Sequence, residues 1–373
     1  MTKYVIRRVI QAIPVLFGIT IVVYMILLAA PGGPTAKFSQ NPRMTQEQRD
    51  AFIHAWGLDQ PAPVQYCRWL GACNPDVDAT ILEFLPAPAA FIGPTGWPNF
   101  LPTAISGAEN GLFHGDFGYS ISTGEAVSKM IARAALPTFI LAGISLVVWL
   151  TFAIFLGVTS AIKRYSLFDQ ATTIFCYVGF AIPTFWLGIM LITIFSGTGL
   201  GWLPASGMTE TRASPPFGSE AYWPYVAANP VTAFLDIGKH LILPVITLVV
   251  VNIAGDSRFV RASMLDTLSQ DFVRTAKAKG LPGRVVTYKH AMRNAMLPVV
   301  TNIGLEIPFL FTGALVTETI FGWPGIGNMS IDATRSFDYP VLMGVLFITA
   351  IITEAANLLA DITYAVVDPR IKY

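Results

Sequence analysis

Three acidic residues lie inside long apolar segments of the chain, where an ionised side chain needs either a task or a partner. They are Glu306, Glu354 and Asp361. A carboxylate inside a membrane is costly, so it commonly marks the path of a substrate or an ion. It can equally pair with a basic residue or an amide of a neighbouring helix, or lie close enough to the interface to be hydrated. We favour pairing or hydration for Glu306 and Asp361.

The residue pattern does not indicate a metal-binding site or a nucleotide-binding site. The three cysteines and four histidines are scattered, without the spacing of a zinc site. No G-x-x-x-x-G-K-S/T loop that would hold nucleotide phosphates occurs. We therefore expect no catalytic residue, no bound metal and no bound cofactor in this chain.

The cysteines allow one covalent cross-link. Cys67 and Cys73 could close a small loop by a disulfide if their segment lies outside the cytoplasm. Geometry decides whether such a bond forms, so both alternatives stay open. Cys176 falls in an apolar segment and is expected to pack there.

The composition indicates a protein that lies mostly within a membrane. Of the 373 residues, 53% are hydrophobic and only 13% are charged, and the mean hydropathy is +0.57. Soluble domains carry about 25% charged residues. The net charge of +1 argues against nucleic-acid binding. We expect an all-α integral membrane protein, because a helix satisfies its own backbone hydrogen bonds where water is absent.

Six apolar runs are candidates for membrane-spanning helices, each of which needs about 20 apolar residues. The fourth run is the weakest, because Asp256 and Arg258 follow it closely. The runs cover residues 9–30, 135–162, 171–196, 241–254, 297–316 and 341–366.

The distribution of basic residues predicts the orientation of these spans. Alternate segments between the runs hold 15 of the 24 Lys and Arg residues, and positively charged loops stay on the cytoplasmic side. Both termini are therefore expected in the cytoplasm. Residues 1–30 have the basic start of a signal peptide, but their apolar run is longer than the usual length of about 7–15 residues. We expect this segment to remain as the first span.

The chain is expected to divide into three parts. Residues 1–30 form the first span, 31–133 form a sizeable extracytoplasmic cap region, and 134–373 form a core of five spans. Within the cap region, the stretch near 74–110 is rich in proline and has no helical period, which indicates an insertion or an irregular loop.

The stretch 256–296, between the fourth and fifth runs, is basic and amphipathic. One face carries apolar residues at near-helical spacing, among them Phe259, Leu265, Leu268, Phe272 and Val273, and Gly280 with Gly283 predicts a break before a second helix. Composition favours a loop held against anionic lipid. Docking to another protein is the alternative.

The segment after the fifth run reads TETIFGWPGIGNM and is rich in turn-forming residues. Pro324 with Gly325 forces a turn, and Gly327 permits close approach of two backbones. Spacing alone favours a plain surface turn, with a re-entrant or gate-lining loop as the alternative.

The basic loop contains the segments FVRTAKAKGL and HAMRNAMLPVVT. They resemble the permeases of ABC importers of the dipeptide, oligopeptide and nickel branch, in particular their first permease subunit. In this loop, Arg274-Thr275-Ala276 takes the place of an EAA-like triplet and Gly280 that of the glycine that follows it. The segments GDFGYS, ETIFGWPGIG and VVDPRIKY resemble the same subunit, whereas the stretch near 74–110 has no counterpart.

The resemblance implies that the basic loop forms a coupling helix that docks on a cytoplasmic ATPase subunit. Small residues would allow the ATPase to approach, and basic residues would pair with acidic groups on its rim. The implied docking positions are Arg274, Thr275, Ala276, Lys277, Lys279, Gly280 and Leu281.

A second implied region is the outer gate or exit loop. Its residues are Glu318, Phe321, Pro324, Gly325 and Gly327. By the same resemblance, Glu306 and Glu354 are possible pathway residues that would attract the amino terminus of a peptide.

The resemblance also implies the complex in which the chain works. It would form half of a peptide pathway in the plasma (inner) membrane, surrounded by lipid. Its partners would be a second homologous permease, two cytoplasmic ATPase subunits that use ATP and Mg, and an extracytoplasmic solute-binding protein. The chain itself would not be an enzyme. Nickel or another small solute is the alternative substrate within the class.

Two rival classes lack the features that they require. An ion-coupled secondary transporter should show internal repeats and paired interrupted spans, and no convincing repeat is present. A membrane-embedded enzyme would need clustered His, Asp, Glu or Cys residues on the faces of its spans. The long basic loop has no evident task in the first of these classes.

Overall fold

The structure is a computed structural model, and the described part of the chain is helical, with short turns and loops between the helices. Its only β pairing is an isolated bridge between Tyr119 and Ala126. The described residues are 2–29, 45–47, 50, 53, 59–70, 112, 115–197, 199–210 and 214–367. The predicted insertion near 74–110 lies outside them.

Eleven α-helices and one π-helix are assigned within this described part. In chain order they are α1 Thr2–Ala29, α2 Ala62–Leu70, α3 Val127–Ile162, α4 Leu167–Ala181, α5 Thr184–Phe195, α6 Tyr222–Ala228, α7 Pro230–Leu268, α8 Asp271–Ala278, the π-helix Val285–Ala291, α9 Met292–Ile320, α10 Ile326–Arg335 and α11 Tyr339–Val367.

Within the described residues, the predicted apolar runs fall on helices, although the third run is interrupted. Among the described residues, four helices are long and apolar enough to cross a membrane, namely Ile6–Ile26, Val127–Ile162, Pro230–Leu268 and Tyr339–Ala360. The pair α4–α5 adds a fifth candidate if it is counted as one span. The run 297–316 lies within α9, where many side chains fall outside the described set. The number of spans therefore stays a prediction.

The third run differs from the expected continuous helix. It is broken between α4 and α5, which meet at an angle of 102°. Pro183 precedes α5 and has no backbone N–H to continue the helix, and Ile182 before it is extended, with φ −82° and ψ 123°. A residue before proline is driven out of the helical region in this way.

The fourth run belongs to a much longer helix than predicted. Helix α7 has 39 residues and continues through Asp256 and Arg258 to Leu268. These polar residues do not end it, because Asp256 is buried and accepts a hydrogen bond of 3.2 Å from the Asn302 side chain. The predicted loop boundary at 256 therefore falls inside a helix.

The described residues form two compact units. The larger unit contains residues 1–12, 134–329 and 351–373, and the smaller unit contains 13–133 and 330–350. In the larger unit, Trp149 of α3 and Leu248 of α7 belong to one apolar cluster, and Val158, Met264 and Val299 belong to another. Helices α3, α7 and α9 thus share the core.

Glycine allows two helix crossings in the larger unit to be close. A Cβ at Gly157 of α3 would lie 2.6 Å from the Ser257 carbonyl oxygen of α7. A Cβ at Gly179 of α4 would lie 3.3 Å from the Val250 carbonyl oxygen. Small residues at such crossings let membrane helices pack backbone to backbone.

In the smaller unit, α2 is fastened to α1 by side-chain hydrogen bonds. The hydroxyls of Thr20 and Tyr66 are 2.7 Å apart, and the Tyr24 hydroxyl donates to the Gln65 side-chain oxygen at 2.9 Å. Cys67 of α2 is disulfide-bonded. Its predicted partner, Cys73, lies outside the described residues, so the pairing of these two cysteines stays a prediction.

A buried carboxylate also organises the turn after the GDFGYS segment in the smaller unit. Asp338 accepts hydrogen bonds from the Ser120 hydroxyl at 2.6 Å and from the backbone N–H groups of Ile121 and Ser122. These three donors fix the turn against the segment that leads into α11.

Candidate functional site

The predicted docking segment is a short helix between two sharp turns. Helix α8 follows α7 after Ser269 and Gln270, and the turn around Gly280 leads to the π-helix and then to α9. π-Helical turns are rare and frequently occur at functional sites. The chain therefore presents α8 as a separate element at the junction of two long helices.

One face of α8 packs on the protein itself. Val273 is fully buried and Ala276 is 7% exposed, and both belong to a cluster with Val286 and Ala291 of the π-helix. Ala276 was expected to contact an ATPase. The structure instead places its side chain against the chain's own π-helix, because it lies one helical turn from Val273 on the same face.

The other face of α8 is exposed and basic. Arg274, Thr275, Lys277 and Lys279 are all exposed. Arg274 lies 3.6 Å from Asp271, and this fully solvated ion pair leaves the guanidinium accessible. The hydroxyl of Thr275 donates to the Asp271 carbonyl oxygen at 3.0 Å.

Two exposed apolar side chains flank these basic residues. Phe272 is 37% exposed and Leu281 is 38% exposed. The sequence pattern placed Phe272 on one apolar face with Val273, but Phe272 lies about 100° around the helix from the buried Val273. Phe272 is thus a candidate contact residue.

Gly280 is needed for its backbone conformation. Its φ is +74°, in the left-handed region that favours glycine, and no atom lies within 4 Å of the position that a Cβ would take. Its N–H donates to the Lys277 carbonyl oxygen at 3.0 Å, and this turn ends α8.

A partly buried ion pair stabilises the same end of the larger unit. Arg261 of α7 donates two hydrogen bonds to Asp169 of α4, at 2.7 and 2.8 Å. Asp169 also accepts from the Ser160 hydroxyl and from the Tyr165 N–H. Tyr165 has a φ of 62°, which is unusual for a residue other than glycine. This pair, which sequence analysis missed, joins α3, α4 and α7 two turns before α7 ends.

The predicted exit loop is organised around the side chain of Glu318, which is fully buried. One carboxylate oxygen accepts from the Thr138 hydroxyl at 2.7 Å, and the other accepts from the N–H groups of Gly327 and Asn328 at 2.7 and 3.2 Å. We call this arrangement the carboxylate cradle. It satisfies an acidic group that would otherwise be costly to bury.

Gly325 and Gly327 are required by the carboxylate cradle. A Cβ at Gly325 would collide with the carboxylate of Glu318, and a Cβ at Gly327 would lie 2.5 Å from the Leu315 Cα. The turn at Pro324 carries the chain back over the end of α9, and α10 begins at Ile326. The glycines therefore permit the close approach that the sequence predicted, and the group they approach is the buried carboxylate of Glu318.

Further hydrogen bonds fasten the loop to its neighbours. The indole N–H of Trp323 donates to the Pro137 carbonyl oxygen at 2.9 Å, and the Ile326 N–H donates to the Thr138 hydroxyl at 2.9 Å. The Phe321 carbonyl oxygen accepts from the Gly207 N–H at 2.8 Å. The segment is thus a buried junction of α3, α9 and the 205–207 loop, and the expectation of a plain surface turn is wrong.

The predicted pathway residues are only partly visible. Glu354 lies on α11 and is partly exposed. Glu306 lies on α9 and Asp361 on α11, but their side chains fall outside the described set. Among the side chains that are described, no group of three or more His, Cys, Asp or Glu residues could hold a metal ion.

Comparison with known families matches two parts of the chain. Residues 153–373 match the family described as the binding-protein-dependent transport system inner membrane component. Residues 1–91 match the N-terminal region described for membrane components of these systems.

Individual relatives match over full length. The oligopeptide transport system permease protein AppB of Bacillus subtilis is 37% identical to this chain. The match covers 100% of both proteins. The di/tripeptide permease DppB of Pseudomonas aeruginosa and the dipeptide permease DppB of Escherichia coli K12 are each 32% identical, over 100% of this chain and 99% of theirs.

Among solved structures, the methionine ABC transporter MetNI in an inward-facing form matches with a TM-score of 0.48 and 13% identity. The match covers 64% of this chain and 96% of that chain. The sequence matches, which extend over both termini and the core, carry the assignment: this chain belongs to the family of inner-membrane permease components of binding-protein-dependent ABC transport systems.

Proposed function

We propose that this permease moves short peptides across the inner membrane and takes its energy from ATP hydrolysed by separate subunits. The peptide assignment is supported by full-length relatives named for oligopeptides, di- and tripeptides, and dipeptides. The remaining partners would be a second permease, two ATPases that bind ATP and Mg, and an extracytoplasmic binding protein.

The observation that carries the proposal is the exposed, basic and partly apolar face of α8. A face of this kind suits docking, because apolar side chains give contact energy and charges give orientation and selectivity. Phe272 and Leu281 would enter an apolar groove of the ATPase, and Arg274, Lys277 and Lys279 would lie against its acidic rim.

The α8 end and the carboxylate cradle lie at opposite ends of the larger unit. The Ser263 hydroxyl of α7 donates to Ala295 of α9, and Asn302 of α9 donates to Asp256 of α7, so the two helices run antiparallel. From Met292 to Glu318, α9 rises by about 40 Å. This distance exceeds the bilayer core of about 30 Å. We place α8 in the cytoplasm and the carboxylate cradle on the outer side.

This arrangement suggests how the energy is transmitted. Closure of two ATPases around ATP would move α8, which is packed on the π-helix and so is connected directly to α9. The Asp169–Arg261 pair would make α3, α4 and α7 move together at this end. Rigid movement of these helices would open the path to one side of the membrane at a time.

The test is stimulation of ATP hydrolysis by a peptide-loaded binding protein in the reconstituted complex. We expect Arg274→Glu and Lys277→Glu to reduce it strongly, because they reverse charge on the docking face. Arg335→Glu is the matched control, since Arg335 is an exposed arginine on α10. Normal stimulation in both α8 variants would overturn the docking assignment.

A further inference from the structure

A cavity of about 610 Å³ lies at the carboxylate-cradle end of the larger unit. The loop 197–210 and the first three turns of α7 form its walls, together with Tyr225 of α6. Sites for small molecules have volumes of about 300 to 1,000 Å³. Neither the α8 face nor the carboxylate cradle includes this cavity.

The cavity carries side chains of both charges. Glu210 and Asp236 line it as carboxylates, and Lys239 lines it as a cation. Among the described residues, neither Glu210 nor Lys239 has an ion pair. Both side chains are exposed, so their charges face whatever enters.

Asp236 is held in position before any ligand arrives. One of its carboxylate oxygens accepts a hydrogen bond of 2.9 Å from the Glu210 N–H, and the other lies 3.3 Å from Nδ1 of the buried His240. A carboxylate that is already oriented loses less conformational freedom when it binds a cation.

Aromatic rings complete the lining. Trp202 and Tyr225 both border the cavity, and the Trp202 ring packs on Phe195 with 6.1 Å between ring centroids. Such rings accept varied side chains and add apolar contact area.

We propose that this cavity binds a short peptide with free termini, before the peptide enters the membrane path. Glu210 and Asp236 would take the ammonium terminus, Lys239 the carboxylate terminus, and the two rings the side chains. A purely anionic ligand would be opposed by two carboxylates, and a metal ion would be opposed by Lys239. A zwitterion matches both charges. This inference rests on the proposed peptide function and adds a site to it.

The cavity is also connected to the carboxylate cradle. Ala205 lines the cavity, and two residues later the Gly207 N–H donates to the Phe321 carbonyl oxygen. A peptide in the cavity would therefore touch the loop that is hydrogen-bonded to the exit segment.

Protection of an introduced cysteine tests the site. Thr232→Cys places a thiol in the cavity wall, and Val231→Cys places one on the neighbouring exposed position, which does not line the cavity. The full permease complex in nanodiscs, without binding protein or ATP, is treated with a maleimide, and the mass shift of this chain is followed. Of the native cysteines, Cys176 is buried and Cys67 is disulfide-bonded, and the unsubstituted chain gives the background.

We expect trialanine to slow modification of Thr232→Cys by about tenfold and to leave Val231→Cys unaffected. N-acetyl-trialanine amide should need a concentration about tenfold higher, because it loses charged hydrogen bonds at both termini. In a Thr232→Cys protein that also carries Lys239→Gln, trialanine and its C-terminal amide should protect the cysteine equally well.

Equal modification with and without trialanine would overturn the site, as would equal protection of both cysteines. ATP-driven uptake of trialanine by the wild-type complex in proteoliposomes is measured in parallel. Uptake without protection rejects only the cavity site, whereas absence of uptake rejects the proposed function.

Discussion

Thr138 and Glu318 are 180 positions apart in the chain and share a buried hydrogen bond of 2.7 Å. The same hydroxyl of Thr138 accepts a hydrogen bond from the Ile326 N–H, so one side chain joins α3 to the end of α9 and the start of α10. This double use of a hydroxyl makes the carboxylate cradle dependent on a residue outside the TETIFGWPGIGNM segment.

Replacing that hydroxyl should weaken the fold. We expect Thr138→Val, which keeps the shape but removes both hydrogen bonds, to destabilise the protein by about 1–3 kcal/mol, the usual effect of leaving buried polar groups unpaired. Thr138→Ser keeps the hydroxyl and should lose less stability than Thr138→Val. Thermal unfolding in detergent measures the difference, and a Thr138→Val protein as stable as wild type would show that the bonds contribute nothing.

The two glycines of the carboxylate cradle should tolerate no side chain. Gly325→Ala places a methyl group against the Glu318 carboxylate, and overpacking of this kind costs about 1–3 kcal/mol. Gly143→Ala is the control, because open space surrounds Gly143 in α3 and alanine favours a helix there. Membrane abundance and unfolding temperature should fall for Gly325→Ala alone. Equal behaviour of the two variants would contradict this.

Neighbouring residues of α8 should separate docking from folding. Phe272→Ala should lower thermal stability less than Val273→Ala does and should reduce ATPase stimulation, because Phe272 is 37% exposed. Val273→Ala should lower stability by about 1–3 kcal/mol, since Val273 is fully buried. If Phe272→Ala stimulates ATP hydrolysis normally, Phe272 is not a contact residue.

Three substitutions at Gly280 should distinguish bulk from backbone strain. We expect Gly280→Arg to reach the membrane but to abolish ATPase stimulation. Gly280→Asn should retain much of it, because asparagine tolerates a positive φ better than other residues. Gly280→Ala adds strain with little bulk. Equal loss in Ala and Arg variants would assign the effect to the backbone turn rather than to blocked docking.

The ion pair between Asp169 and Arg261 should stabilise the α8 end. Arg261→Met removes both charged hydrogen bonds and leaves Asp169 buried without its cation, which we expect to cost about 2 kcal/mol. Arg261→Lys keeps the charge but not the two parallel hydrogen bonds, so its stability should lie between those of the wild type and Arg261→Met. The unfolding temperatures of the wild type, Arg261→Lys and Arg261→Met in detergent measure this effect. A higher unfolding temperature for Arg261→Met than for Arg261→Lys would refute the pairing role.

The helices were predictable because apolar runs dictate them, whereas their interruptions depended on local chemistry. Ile182-Pro183 breaks the third run because proline lacks an N–H and restricts the residue before it. Helix α7 runs past Asp256, which is buried and accepts a hydrogen bond from Asn302, 46 positions later. No periodicity within α7 contains that information.

The candidate site was predictable in its segments but not in the faces that its residues present. The π-helix covers the side of α8 that carries Ala276, whereas Phe272 lies on the exposed side, and neither fact follows from the spacing of apolar residues. Glu318 and Gly325 were singled out by the motif, but their contact required the fold. The Asp169–Arg261 pair joins residues 92 positions apart, and neither residue lies in a recognisable motif.

Uptake of labelled trialanine into proteoliposomes is the most direct test of the proposal that α8 receives energy from a separate ATPase. The vesicles contain both permeases, with or without the two ATPase subunits, and with loaded binding protein on the outer side. We predict uptake only when the ATPases and ATP are present, and its loss in Lys277→Glu. Uptake driven by an ion gradient in vesicles that lack the ATPases would contradict the proposal.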